Sequence, residues 1–149
     1  MTREAGHALR QAFAAARTPD ADPIEAMTRM ILAAWTAGDQ YRTLVALGQR
    51  ELNREAILAG LAPAREEAVA VLRRDQDEGV FAGHLPAPVL AQALEALRPA
   101  LAENAACMWA DPMGESAAIA SLVAAGVAPQ RAVLQVQALV RRDRAAGDG

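Results

Sequence analysis

The stretch ADPIEAMTRMILAAW, residues 21–35, decides the fold. Asp22 stands before Pro23, and Glu25 follows three residues after Asp22. An aspartate at the N-cap accepts hydrogen bonds from the unpaired N–H groups of a first helical turn. Proline fits the first helical position, where its φ is already set and no N–H is needed, and a glutamate at the third position completes a capping box. Behind this start Ile24, Met27, Ile31, Ala34 and Trp35 recur at spacings of three and four, which lays an apolar stripe along one face of a helix. Gly38 is expected to end that helix.

The same punctuation runs outward in both directions. Upstream, Leu9, Phe13 and Ala16 mark a helix from about Arg3 to Arg17, stopped at Thr18-Pro19-Asp20 because a residue before proline avoids the α region. Downstream, Asp39 is expected to cap a short helix that buries Tyr41, Leu44, Val45 and Leu47. Asn53 then opens a segment through Leu58, Leu61, Val69 and Leu72 to about Glu78, with Pro63 inside it and a break expected near Gly60. Gly79 closes that segment, and residues 80–86 form a connector with one buried aromatic, Phe81.

Pro86 and Pro88 open a helix through Val89, Leu90, Leu94, Leu97, Leu101, Ala105 and Met108 to about Ala110, which Pro99 should kink. Residues 111–114 are a turn by composition. Glu115 to Ala125 forms a helix ended by Gly126. Pro129 starts the last one, with Val133, Val136, Leu139 and Val140 inward and Arg141, Arg142 and Arg144 near its C-terminal dipole. Short connections imply antiparallel neighbours. The expectation is an all-α, compact multi-helix bundle in a single domain, 1–149, frayed at 1–7 and 144–149.

Composition agrees. Of 149 residues 53% are apolar but only 3% aromatic, so the core must be built from Ala, Leu, Val and Ile. Alanine is the best helix former, and β-branched residues are scattered, which disfavours strands. A net charge of −3 offers no electrostatic reason to approach nucleic acid, and no direct DNA binding by this chain alone is expected. A single cysteine and no visible secretion signal are the pattern of a cytoplasmic protein, and no apolar run reaches the roughly 20 residues that span a bilayer, so no membrane association is expected.

Chemistry-bearing residues are few. Cys107 is embedded in apolar sequence with no cation beside it, the setting of an inert buried thiol. His7 and His84 lie far apart and belong to no metal-ligand spacing, so no metal site is expected. Glu66, Glu67, Asp75, Asp77 and Glu78 lie among Arg65, Arg73 and Arg74, which reads as a solvated, ion-paired helix face rather than an acid–base set. No nucleophile has a base with an orienting partner, so the chain reads as a non-enzyme with no catalytic residues and no cofactor. Ile119 to Val140 has the helix, glycine-containing turn and helix of a DNA-reading motif. Leu122 occupies the place of that motif's usual small residue, and a packing helix pair is the better reading.

The order of segments resembles the C-terminal ligand-binding and dimerisation domain of TetR-type transcriptional regulators. "ALRQAFAAARTPDADPIEAMTRMILAAW" looks like the first two helices after that family's DNA-binding head. "NREAILAGLAPAREEAVAVLRRDQDEGVF" resembles its long central helix with a closing run of the RRxQxEGxF kind, here Arg73 to Phe81, followed by His84-Leu85-Pro86. "LPAPVLAQALEALRPALAENAACMWADP" looks like the first of two helices that pair across the family's dimer. The similarity spans most of Ala8 to Val140 and is one of pattern and order.

The resemblance implies a transcription-regulating domain that holds a small, largely apolar ligand among its central helices. Met27, Met30, Trp35, Tyr41, Met108 and Trp109 are the candidate lining, since methionine adapts its shape and Trp and Tyr each add one polar handle. The plainer reading of these residues is core packing. The resemblance also implies a homodimer through Leu90, Leu94, Leu97, Leu101, Ile119, Leu122 and Val123, helped by the close approach that alanines allow. The family's helix-turn-helix head is not read in the residues before Leu9. The sequence-level expectation is therefore a headless partner that heterodimerises with full-length relatives, or a truncated product, as the alternative to a self-standing sensor.

Overall fold

Glycines and prolines set the helix ends where backbone chemistry demands. The computed structural model describes residues 7, 10–12, 14–15, 18, 20–46, 54–105 and 114–148; for 37–46, 54–62, 64 and 103–105 the description is of the backbone. Residues 7, 10–12, 14 and 15 are helical, and Ala12 is buried in the core. Five helices follow: α1 (Pro23–Ala46), α2 (Arg54–Asp77), α3 (Ala87–Ala105), α4 (Glu115–Ala124) and α5 (Pro129–Gly147). No strand occurs among the described residues, and the helices pack into an all-α bundle.

The start of α1 is as its sequence dictates. Asp22 Oδ1 accepts from the Ile24 and Glu25 N–H groups at 2.9 and 3.2 Å, which satisfies two unpaired donors. The Glu25 carboxylate turns away from the capping box to the arginines: Arg29 donates to Oε1 and Arg142 to Oε2.

Two predicted breaks do not occur. α1 runs on through Gly38 and Asp39 to Ala46, so Gly38 ends nothing and Asp39 is no cap. A glycine inside a helix costs only about 1 kcal/mol, which packing along a 24-residue helix outweighs. α2 is likewise continuous through Gly60 and Pro63. Pro63 is exposed, and the helix carries on past the one ladder bond that its missing N–H forfeits. α3 contains Pro99 in the same exposed setting. The predicted Asn53 start and the stretch from 106 to 110 lie outside the described residues.

α4 is the hub. It packs against α1, α3 and α5, and its Ala117, Ala118, Ser121 and Leu122 are buried. α1 also packs on α5, while α2 packs chiefly on α3. Ile24, Met27 and Met30 from α1, Val71 and Leu72 from α2, Leu90 from α3, Leu122 from α4 and Val136 from α5 join in one core cluster with Phe81 of the α2–α3 connector. Among the described residues the two buried hydroxyls are satisfied locally: Thr28 donates to the Ile24 carbonyl and Ser121 to the Ala117 carbonyl.

α2 and α4 end in the same way. Gly79 and Gly126 take the left-handed conformation, with φ of 75° and 96°. At the end of α2, Gly79 N–H donates to Gln76 and Val80 N–H to Asp75; at the end of α4, Gly126 N–H donates to Val123 and Val127 N–H to Leu122. Both are Schellman ends, which normally pair an apolar residue three from the helix end with one just beyond the glycine. The two ends also touch: Ala82 N–H donates to the Ala125 carbonyl at 2.9 Å.

Candidate functional site

The described surface carries an open groove of about 530 Å³ along α2, lined by Pro63, Glu66, Glu67, Ala70, Val71 and Arg74. These positions recur at three and four residues, so they form one continuous side of the helix. Pro63, Ala70 and Val71 give it an apolar floor, and Glu66, Glu67 and Arg74 supply charge. Its volume is that of small-molecule sites generally.

The groove ends at the α2 terminus. There Arg74 Nε donates to Asp75 Oδ1 at 2.9 Å. Asp75 itself is 0% exposed, and its other oxygen, Oδ2, has no hydrogen-bond partner among the described residues. Burial pushes the Asp75 carboxyl above the usual carboxylate range; Arg74 opposes this and the nearby Glu78 adds to it. Gln76 Nε2 donates to the Ala82 and Leu85 carbonyls, holding the connector against the helix end. Lower on α2, Arg65 forms a two-bond pair with Glu95 of α3 at 2.6 and 2.8 Å. That pair holds the Glu95 carboxyl below its ordinary range, and burial lowers the neighbouring Arg98.

The acidic run on α2 is therefore not one solvated face. Glu66, Asp77 and Glu78 are exposed and Glu67 is half-buried, but Asp75 points into the protein. Arg65 pairs across to α3 rather than along its own helix.

The sequence-predicted ligand residues are distributed differently. Met27 and Met30 are buried in the core, and Trp35 is buried against the start of α4; none of the three lines the groove. The Tyr41 side chain, Met108 and Trp109 lie outside the described residues, as does Cys107. In the sequence Glu66, Glu67 and Arg74 read as part of an ion-paired face, and Pro63, Ala70 and Val71 look like ordinary helix filling. The signal was the recurrence of Pro63, Ala70 and Arg74 on one side.

Of the dimer candidates, Leu90 and Leu122 are already buried within the single chain and have no free area to offer a second copy. Leu94 and Ile119 pack partly against the core, Leu97 and Leu101 are half-buried, and Val123 is 39% exposed. Val89, on the first turn of α3, is 46% exposed. His7 and His84 are exposed, and no group of three or more His, Cys, Asp or Glu side chains that could hold a metal occurs among the described residues. No described helix is long and apolar enough to cross a membrane.

No protein-family profile, no curated protein and no solved structure matches the chain.

Proposed function

We propose that this chain is a ligand-binding and dimerisation domain of the TetR-like regulator kind, which senses a small, largely apolar molecule. The observation that carries the reading is the groove of about 530 Å³ on α2. α2 stands where the resemblance puts the long central helix, and it is long and unbroken despite Pro63. A floor of Pro63, Ala70 and Val71 rewards an apolar ligand by removing its surface from water, while the charged groups orient its polar end. Pairing of two copies uses the apolar area that the fold leaves on α3 and α4, at Val89, Leu97, Leu101 and Val123. A ligand that prefers one arrangement of α2 on α3 shifts the population of that arrangement, the elementary act of a sensor.

Thermal unfolding of the purified chain with a panel of apolar small molecules tests the ligand claim, because a ligand that binds only the folded state raises Tm. A compound should raise Tm in the wild type and lose that effect in Ala70→Trp, which fills the groove. A shift that survives Ala70→Trp overturns the assignment of the groove. Light scattering tests the pairing: a dimer that Val123→Glu converts to monomer is expected, and a wild-type monomer at tens of micromolar refutes it.

A further inference from the structure

We propose that Asp75 is a proton-operated latch: with Oδ2 protonated, the last turn of α2 and residues 79–86 close over the core, and with the carboxylate ionised this junction loosens. The two Schellman ends of the chain supply the comparison. At the end of α4 the position three from the helix end is Leu122 and its partner beyond the glycine is Val127, both buried. At the end of α2 the corresponding pair is Asp75 and Val80. A carboxyl occupies the place of an aliphatic side chain, is 0% exposed, and leaves Oδ2 without a partner among the described residues. A buried ionised group with an unsatisfied oxygen is costly, whereas the neutral acid sheds most of that cost by taking up one proton.

The position is also a junction. The Asp75 carbonyl accepts from both Val80 and Phe81 N–H, Phe81 is buried in the core, and Ala82 N–H reaches the Ala125 carbonyl. Loosening the last turn of α2 therefore loosens the link between the α2–α3 connector and the α4–α5 turn. Among the described residues, the charged groups around Asp75 are Arg74, which donates to Oδ1, and Glu78, with Arg73 and Asp77 exposed on the same helix end. The connector brings one titratable group, His84, which is exposed. Residues 86–92, opening α3, and residues 121–130, across the α4–α5 turn, carry no charge. Oδ2 is sealed in the closed form, so its proton exchanges with water during the opening.

The sign follows from burial. The closed form binds the proton more tightly than the open form, so opening becomes easier as pH rises from the ordinary carboxylate range towards the raised closed-state value, then levels off. Amide hydrogen exchange on the full chain between pH 4 and 8, corrected for intrinsic rates, reads this at the Val80, Phe81 and Ala82 amides. Their protection should fall with rising pH by up to about tenfold per unit within that window. The Gly126 and Val127 amides, at the Leu122 end, should hold level. Asp75→Asn, which keeps the shape but cannot ionise, should abolish the slope, and His84→Gln should keep it. A wild-type profile without slope, a slope retained in Asp75→Asn, or the same slope at Gly126 and Val127 overturns the latch.

Discussion

Trp35 occupies the space that a side chain at Gly114 would need. A Cβ built at Gly114 falls 2.7 Å from Trp35 Cγ and 2.9 Å from its Cβ, and Gly114 is in the left-handed conformation with φ of 77°. The backbone that opens α4 thus lies directly on the buried indole of α1, and only glycine permits both the approach and the conformation.

Gly114→Ala should accordingly destabilise the fold by about 2–4 kcal/mol, combining overpacking against a buried ring with left-handed backbone strain. Gly83→Ala, where a Cβ meets nothing within 4 Å and φ is not left-handed, should move stability by less than about 0.5 kcal/mol. Urea unfolding followed by circular dichroism separates the two; equal midpoints would contradict the close approach.

Leu122, in the last turn of α4, is 0% exposed, whereas Leu134 on α5 is 64% exposed. Truncating each to alanine removes the same atoms from different surroundings. Leu122→Ala should cost about 2–5 kcal/mol through lost transfer energy and a cavity, and Leu134→Ala should stay within about 0.5 kcal/mol. Chemical denaturation of both variants checks the ratio.

Glu95 titrates below its ordinary range, chiefly because it accepts the hydrogen bonds of Arg65. A carboxyl with a depressed folded-state pKa contributes stability above its unfolded value and loses it as pH falls through the folded value. The α2–α3 contact should therefore weaken on acidification below about pH 4.5, near the ordinary value for a glutamate. In Glu95→Gln that part of the acid limb should be absent. Tm measured from pH 3 to 7 for both proteins reads the difference.

Arg29 binds both oxygens of Asp143, at 3.0 and 3.2 Å, and so ties α5 to α1. Both side chains are substantially exposed, so solvent screens the pair. Asp143→Asn should cost about 0.2–1 kcal/mol at low salt, and the difference from wild type should shrink towards zero in 1 M salt. Guanidinium would mask this, so urea melts at two salt concentrations are the suitable measurement.

How much of this was legible beforehand depends on the range of the interaction. The Asp22 cap, the Gly79 and Gly126 ends and the Pro129 start depend on chemistry within a few residues of one another, and each stands where its residue type predicts. The breaks expected at Gly38 and Gly60 failed because local propensity is worth about 1 kcal/mol per glycine, less than a long packed helix recovers. The groove was missed because alanine and proline on one side of α2 acquire meaning only from the hollow beside them.

Asp75 marks the division most clearly. Periodicity and composition established by themselves that this chain is all helix, and charge pattern suggested that Asp75 was one more solvated carboxylate. Only the tertiary packing decided that it is sealed from water, that Leu90 and Leu122 are spent inside the chain, and that Val89 and Val123 are not. Helix formation follows from hydrogen bonds and spacing along the chain, whereas burial depends on which distant segments arrive on each face, and no single segment encodes that.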